Sequence, residues 1–194
     1  MNVHKHLGHL AEQIRAGNVE QTESGILIGR EVMAKGVYRF RKNDEDWEYA
    51  NNIVPTAALN HLLDVGLRNQ TRYATWYLAL FSGTTAPAAS WTATNFATVA
   101  SELTSGTEGY SESTRQVWTP SAASGGVIDD YGSQAVFTMV SATTVTVRGM
   151  ALLSDSAKGS TSGVLMSAVN LSTGAKSFAT GETFTCGYRL TLSM

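Results

Sequence analysis

Phe184-Thr185-Cys186-Gly187-Tyr188-Arg189-Leu190-Thr191-Leu192-Ser193 is the stretch whose reading decides the fold. Apolar residues at 184, 186, 188, 190 and 192 alternate with polar or small ones. Successive side chains of a strand point to opposite faces, so this period of two predicts a strand with one buried and one wet face. Moving outward, strand-like segments recur at residues 163–169, 143–153, 134–140 and 112–119. Turn residues separate them: Ser124-Gly125-Gly126, then 129–132, 158–163 and 172–174. Trp76–Phe81 is a continuous apolar run closed by Ser82-Gly83, which suits a buried strand. Short strands with such punctuation and no helices between them predict a mainly β fold, an antiparallel β-sandwich or jelly-roll-like body.

Composition agrees with that reading. Charged residues make up 15% of the 194, against about 25% in ordinary soluble domains. Hydroxyls replace them: residues 73–194 hold 38 Ser or Thr. Thr is β-branched and favours strands. The net charge is −2 and no Lys/Arg block occurs, so nucleic acid is not the expected partner. No apolar run approaches the roughly 18 residues of a membrane span, and Met1–His6 lacks a signal-peptide core. Cys186 is the sole cysteine, which excludes an internal disulfide and Cys-rich metal sites.

The N-terminal side differs in character. Residues 1–72 carry 9 of the 14 Lys/Arg and 9 of the 16 Asp/Glu. Leu7, Leu10, Ala11 and Ile14 fall on one helical stripe that Gly17-Asn18 would stop. Residues 25–29 and 31–41 read as extended, the latter ending in the alternation Val37, Tyr38, Arg39, Phe40, Arg41. Residues 47–54 are the expected return strand of a hairpin. Residues 57–68 form the best helix, with Thr56 as N-cap and Leu59, Leu62, Leu63 and Leu67 as its apolar stripe. The expected division is an attachment arm over 1–54 and a helix-plus-β body over 55–194.

Chemistry is sparse. His4, His6 and His9 lack an acidic or Cys partner at fixed spacing and read as polar residues of a terminal helix. His61 lies near Asp64, but no Gly-x-Ser-x-Gly turn marks a nucleophile. Asp129 and Asp130 are adjacent, which suits a turn better than paired acid/base work. Lys158–Gly163 lacks the Gly-Lys-Ser/Thr ending of a phosphate loop and reads as a hairpin loop. Cys186 falls on the apolar side of its strand, as inert core. No catalytic residue, cofactor or metal is expected. Aromatic and aliphatic anchors remain: Leu7, Leu10, Ile14, Tyr38, Phe40, Trp47 and Tyr49 in the arm, and Trp91 and Phe96 in the long 84–109 loop. Such side chains are what protein interfaces concentrate, so these are the candidate partner-binding residues.

Five segments in order resemble a group of small tailed-bacteriophage virion proteins. They are an Asn-x-Val helix start at 52–64, Trp-Tyr-Leu-Ala-Leu-Phe at 76–81, and Tyr-Ser-Glu-Ser-Thr-Arg-x-x-Trp-Thr-Pro at 110–120. A Ser-x-x-x-Lys-Gly-Ser-Thr hairpin at 154–161 and a Gly-Glu-Thr-Phe strand at 181–192 complete the set. The resemblance implies a non-enzymatic virion component, assembled in the bacterial host cytoplasm. The expected role is capsid decoration or cement protein; the alternative is a tail accessory, such as a fibre subunit or fibre-to-tail adaptor. Expected partners are the major capsid protein or tail and portal-vertex proteins, together with further copies of the chain.

Overall fold

The structure, a computed structural model, describes residues 19–22, 25–28 and 33–193. Leu7, Leu10 and Ile14 lie outside the described residues. The chain divides into two compact units, residues 1–33 with 192–194, and residues 34–191. In the first, β1 (Val19–Thr22) and β2 (Gly25–Ile28) pair antiparallel, Val19 opposite Ile28 and Thr22 opposite Gly25.

The second unit is mainly β with antiparallel sheets and two helices. Its strands begin with β3 (Met33–Lys42), β4 (Glu48–Asn51) and β5 (Trp76–Phe81). After these come β6 (Gly109–Tyr110), β7 (Gln116–Trp118), β8 (Val127–Asp129) and β9 (Ala135–Val140). The series closes with β10 (Val145–Val147), β11 (Gly149–Leu153), β12 (Leu165–Asn170), β13 (Lys176–Phe178) and β14 (Thr183–Ser193). The largest sheet runs β4-β3-β14-β9-β6, with β8 pairing the later part of β14. A second sheet runs β12-β11-β5-β7, and β10 pairs β13 separately. The helices are α1 (Thr56–Leu67) and α2 (Ala93–Val99).

One core joins the two larger sheets. Tyr38, Phe40, Phe137, Phe184, Cys186 and Tyr188 meet Leu78, Leu80, Met150, Leu152 and Met166 in a single buried cluster. The neighbouring residues Ala79 and Phe81 of β5, and Ala151 and Leu153 of β11, point into a second cluster on the opposite face. There Trp91 and Phe96, carried by α2 and its approach, stack edge-on to Phe81 at 6.1 Å each. Both faces of β5 are therefore covered, which is why its sequence is continuously apolar rather than alternating.

Several expectations are corrected. The compact unit begins at Ala34 rather than at residue 55, because β3 neighbours β14 in one sheet. Ile53 also exchanges backbone hydrogen bonds with Ala168 of β12, at 3.2 and 3.3 Å. The 84–109 segment is not a plain loop, since it contains α2, whose first turn is fastened by Thr92 N–H donating to Asn95 Oδ1 at 2.9 Å. The 143–153 strand breaks at Arg148 into β10 and β11, which join different sheets. At Gly149 a Cβ would run into the Phe81 ring and the Val169 carbonyl, so only glycine lets β11 pass. Residues 129–132 are not wholly turn: β8 ends at Asp129, entered through Gly125 and Gly126 with φ of 59° and 77°. Positive φ at both central residues of the Ser124–Val127 turn is what a tight hairpin needs. Thr56 is the first residue of α1 and makes no side-chain cap. The leucine stripe of α1 is mostly outside: Leu59, Leu63 and Leu67 are exposed, while Ala58 is buried. β14 alternates as read over Phe184–Leu190, yet Thr185 and Gly187 of its wet face are also buried. Asp130 and Gln134 lie against Gly187 on that side.

Candidate protein interface

On the face of the large sheet opposite its core, β3 presents Arg39 and Arg41, and the chain entering β4 presents Trp47. Inward-facing Tyr38 and Phe40 fix that choice, because a strand must send the residues between them outward. The guanidinium carbons of Arg39 and Arg41 lie 4.3 and 4.6 Å from the Trp47 ring centre. Arg39 is also 4.3 Å from the ring of Tyr131, which takes Arg189 at 4.5 Å. The result is a ladder in which cations and rings alternate: Arg41, Trp47, Arg39, Tyr131, Arg189. Tyr49 stands opposite Arg39 in the β3–β4 register and is 53% exposed.

Hydrogen bonds hold the inner end of the ladder. Tyr131 donates its hydroxyl to Val37 O at 3.0 Å, and its own carbonyl accepts from Arg39 at 2.6 Å. Burial pushes the Tyr131 phenol up to about 12, against the opposing pull of Arg189 and Arg39. Arg189 places two nitrogens on Asp129 Oδ2, at 2.8 and 2.7 Å. Arg41 reaches only a fully exposed Asp44 at 3.7 Å, and among the described residues Arg39 makes no ion pair. Stacking occupies the guanidinium faces of Arg39 and Arg41, and their Nε atoms are buried without a partner. Trp, Tyr and Arg are also the side chains that dominate binding energy at interfaces. The arrangement can bind a partner.

The other expected anchors among the described residues are elsewhere. Tyr38, Phe40 and Phe96 are fully buried and Trp91 is 4% exposed, so their contacts are internal. Of the six candidates among the described residues, Trp47 and Tyr49 sit at this face. The alternation of 37–41 already placed Arg39 and Arg41 on one side of a strand. Nothing local marked Tyr131 or Arg189, which reach the ladder through sheet pairing.

The remaining polar motifs serve the fold. Arg115 and Glu102 form a fully buried ion pair, Nε to Oε1 at 2.7 Å and Nη2 to Oε2 at 2.8 Å. Arg115 also donates to Asp155 O at 2.9 Å, and the Gly159 amide donates to Glu102 at 3.0 Å. The phosphate-loop-like segment thus already has its anion, a carboxylate of the same chain. His61 packs 5.2 Å from the Tyr73 ring and 5.9 Å from that of Trp76, while Asp64 pairs with Arg68 at 3.0 Å. Asp129 and Asp130 diverge: the first holds Arg189, and the second accepts the buried Tyr188 amide at 2.7 Å. Cys186 is buried, and burial raises its thiol well above the usual range. Among the described residues, no cluster of three His, Cys, Asp or Glu could hold a metal, and no helix is long and apolar enough to cross a membrane.

Comparison with protein-family models, curated proteins and solved structures finds no significant match to this chain.

Proposed function

We propose that the protein is a non-enzymatic structural component of a tailed-bacteriophage virion, a capsid decoration or cement protein that binds other virion proteins. The observation that carries this reading is the outward Arg–aromatic ladder with Tyr49 beside it. It offers interface-type side chains, exposed Tyr49 beside Trp47 and the half-buried cation Arg41, to an acidic protein surface. The ordered motifs described above supply the virion part of the reading. Two antiparallel sheets on one core suit a sandwich body of the jelly-roll-like kind, a shape that can sit on a shell and repeat as an oligomer.

The test is incorporation into particles. Tyr49→Ala combined with Arg41→Glu alters one exposed and one half-buried side chain, both outside the core, so the far-UV spectrum should stay as in the parent and the melting temperature should move little. Incorporation into purified virions should fall at least about tenfold, given what hot-spot truncations cost. Undiminished incorporation would refute the ladder as the contact. Binding of single-stranded oligonucleotide that disappears in the same variant would replace the protein partner with nucleic acid. Copy number then decides the location: hundreds per particle place the chain on the shell, a few dozen or fewer place it in the tail.

A further inference from the structure

A cavity of about 260 Å³ lies beneath α1, at the end of the core shared by the two larger sheets. Its inner wall is hydrocarbon and aromatic: Leu152, Met166, Trp118 and Leu190 are all at least nine-tenths buried. It is a cleft open to solvent on one side rather than a sealed void, and two tryptophans, Trp76 and Trp118, line it. At about 30 Å³ per water-sized group it admits roughly nine non-hydrogen atoms.

Polar groups are confined to one end. Trp118 spends its indole N–H on Tyr188 O at 3.2 Å. The Tyr188 hydroxyl lies beside Gly36 and Asn52, away from the hollow. That leaves His61, Arg72 and Tyr73 at the more exposed margin. Among the described residues Arg72 makes no ion pair, and the nearby Asp64 is already held by Arg68 at 3.0 Å. The site therefore combines an apolar interior with one uncommitted cation at its mouth, the pattern of a small-molecule pocket with a few orienting polar groups.

We infer that this cavity binds a small apolar carboxylate, an aryl- or branched-alkyl acid of about nine to eleven non-hydrogen atoms. The hydrocarbon fills the hollow and the carboxylate meets Arg72. The inference is independent of the virion reading, since the pocket and the ladder share no residue.

The probe is 3-phenylpropanoate, followed by quenching of Trp76 and Trp118 fluorescence and by calorimetry. Two analogues with the same ring and chain, 3-phenylpropanol and 3-phenylpropylamine, isolate the charge. The carboxylate should saturate below about 1 mM and bind roughly tenfold tighter than the alcohol, as a charge-assisted hydrogen bond allows; the amine should be weakest. Arg72→Gln, a change at an exposed position, should bring carboxylate and alcohol to equal affinity without removing either. Val65→Trp, on the pocket side of α1, should abolish binding of all three. Equal binding of acid, alcohol and amine by the parent protein would overturn the assignment. So would an absence of saturation at about 5 mM, or a carboxylate preference that survives Arg72→Gln.

Discussion

Asp130 is 1% exposed, and burial pushes its carboxyl up to about 6. One oxygen accepts the Tyr188 amide while Oδ2 is buried without a partner. An unfolded aspartate titrates near 3.9, so between about pH 4 and 6 the folded chain holds a proton that the unfolded chain has lost. The stabilisation is complete below about pH 4 and disappears as pH rises through about 6. We expect urea unfolding to show the protein less stable at pH 7 than at pH 5, by about 1 kcal/mol from this group alone. Asp130→Asn keeps an acceptor for Tyr188 and should remove that difference; an unchanged pH slope would contradict the assignment. None of this was legible locally. Asp129-Asp130 reads as a turn pair, and only the pairing of β8 with β14 buries one carboxylate and sends the other to Arg189. Cys186 and Tyr188, by contrast, could be placed from alternation alone, because period two fixes their side of the strand.

Elements were legible where a single physical cause shaped the sequence. β14, β9 and β5 each follow from burial, on one face or on both. α2 is faint in the sequence because Ala93–Val99 carries one bulky apolar residue; its start signal is Thr92 followed three positions later by Asn95, a weak form of the capping box. Its function is to carry Phe96 onto Phe81. Phe96→Ala should lower stability by about 3–5 kcal/mol and uncover the second face of β5 and β11, read as dye binding to newly exposed apolar surface. A loss below about 1 kcal/mol would mean that the segment is an ornament rather than a cover. The outward direction of the α1 leucines is illegible for a related reason. A stripe in the sequence says which residues share a face, but Leu59, Leu63 and Leu67 face out while Ala58 is the buried contact.

At the scale of the molecule, the boundary at residue 54 followed a change in composition, whereas the structural boundary follows strand pairing. Charge-rich β3 and β4 belong to the hydroxyl-rich body because Tyr38 and Phe40 complete its core. Two truncations separate these readings. Removing residues 1–32 should leave a cooperatively folding protein. Removing 1–50 takes out all of β3 and most of β4 and should abolish the melting transition; a folded 51–194 fragment would restore the compositional boundary. The same pairing has a consequence in time. β3 is among the first parts of the body to leave the ribosome, and its partner β14 is the last strand of the sheet to be made. Until then β3 and β9 each have an unpaired edge, which is a template for pairing with other chains. Closure must also bring together segments at opposite ends of the body, a slow class of event. The yield of native protein should therefore fall as synthesis outpaces folding, and slow, cool expression should protect it more than added salt or ligand.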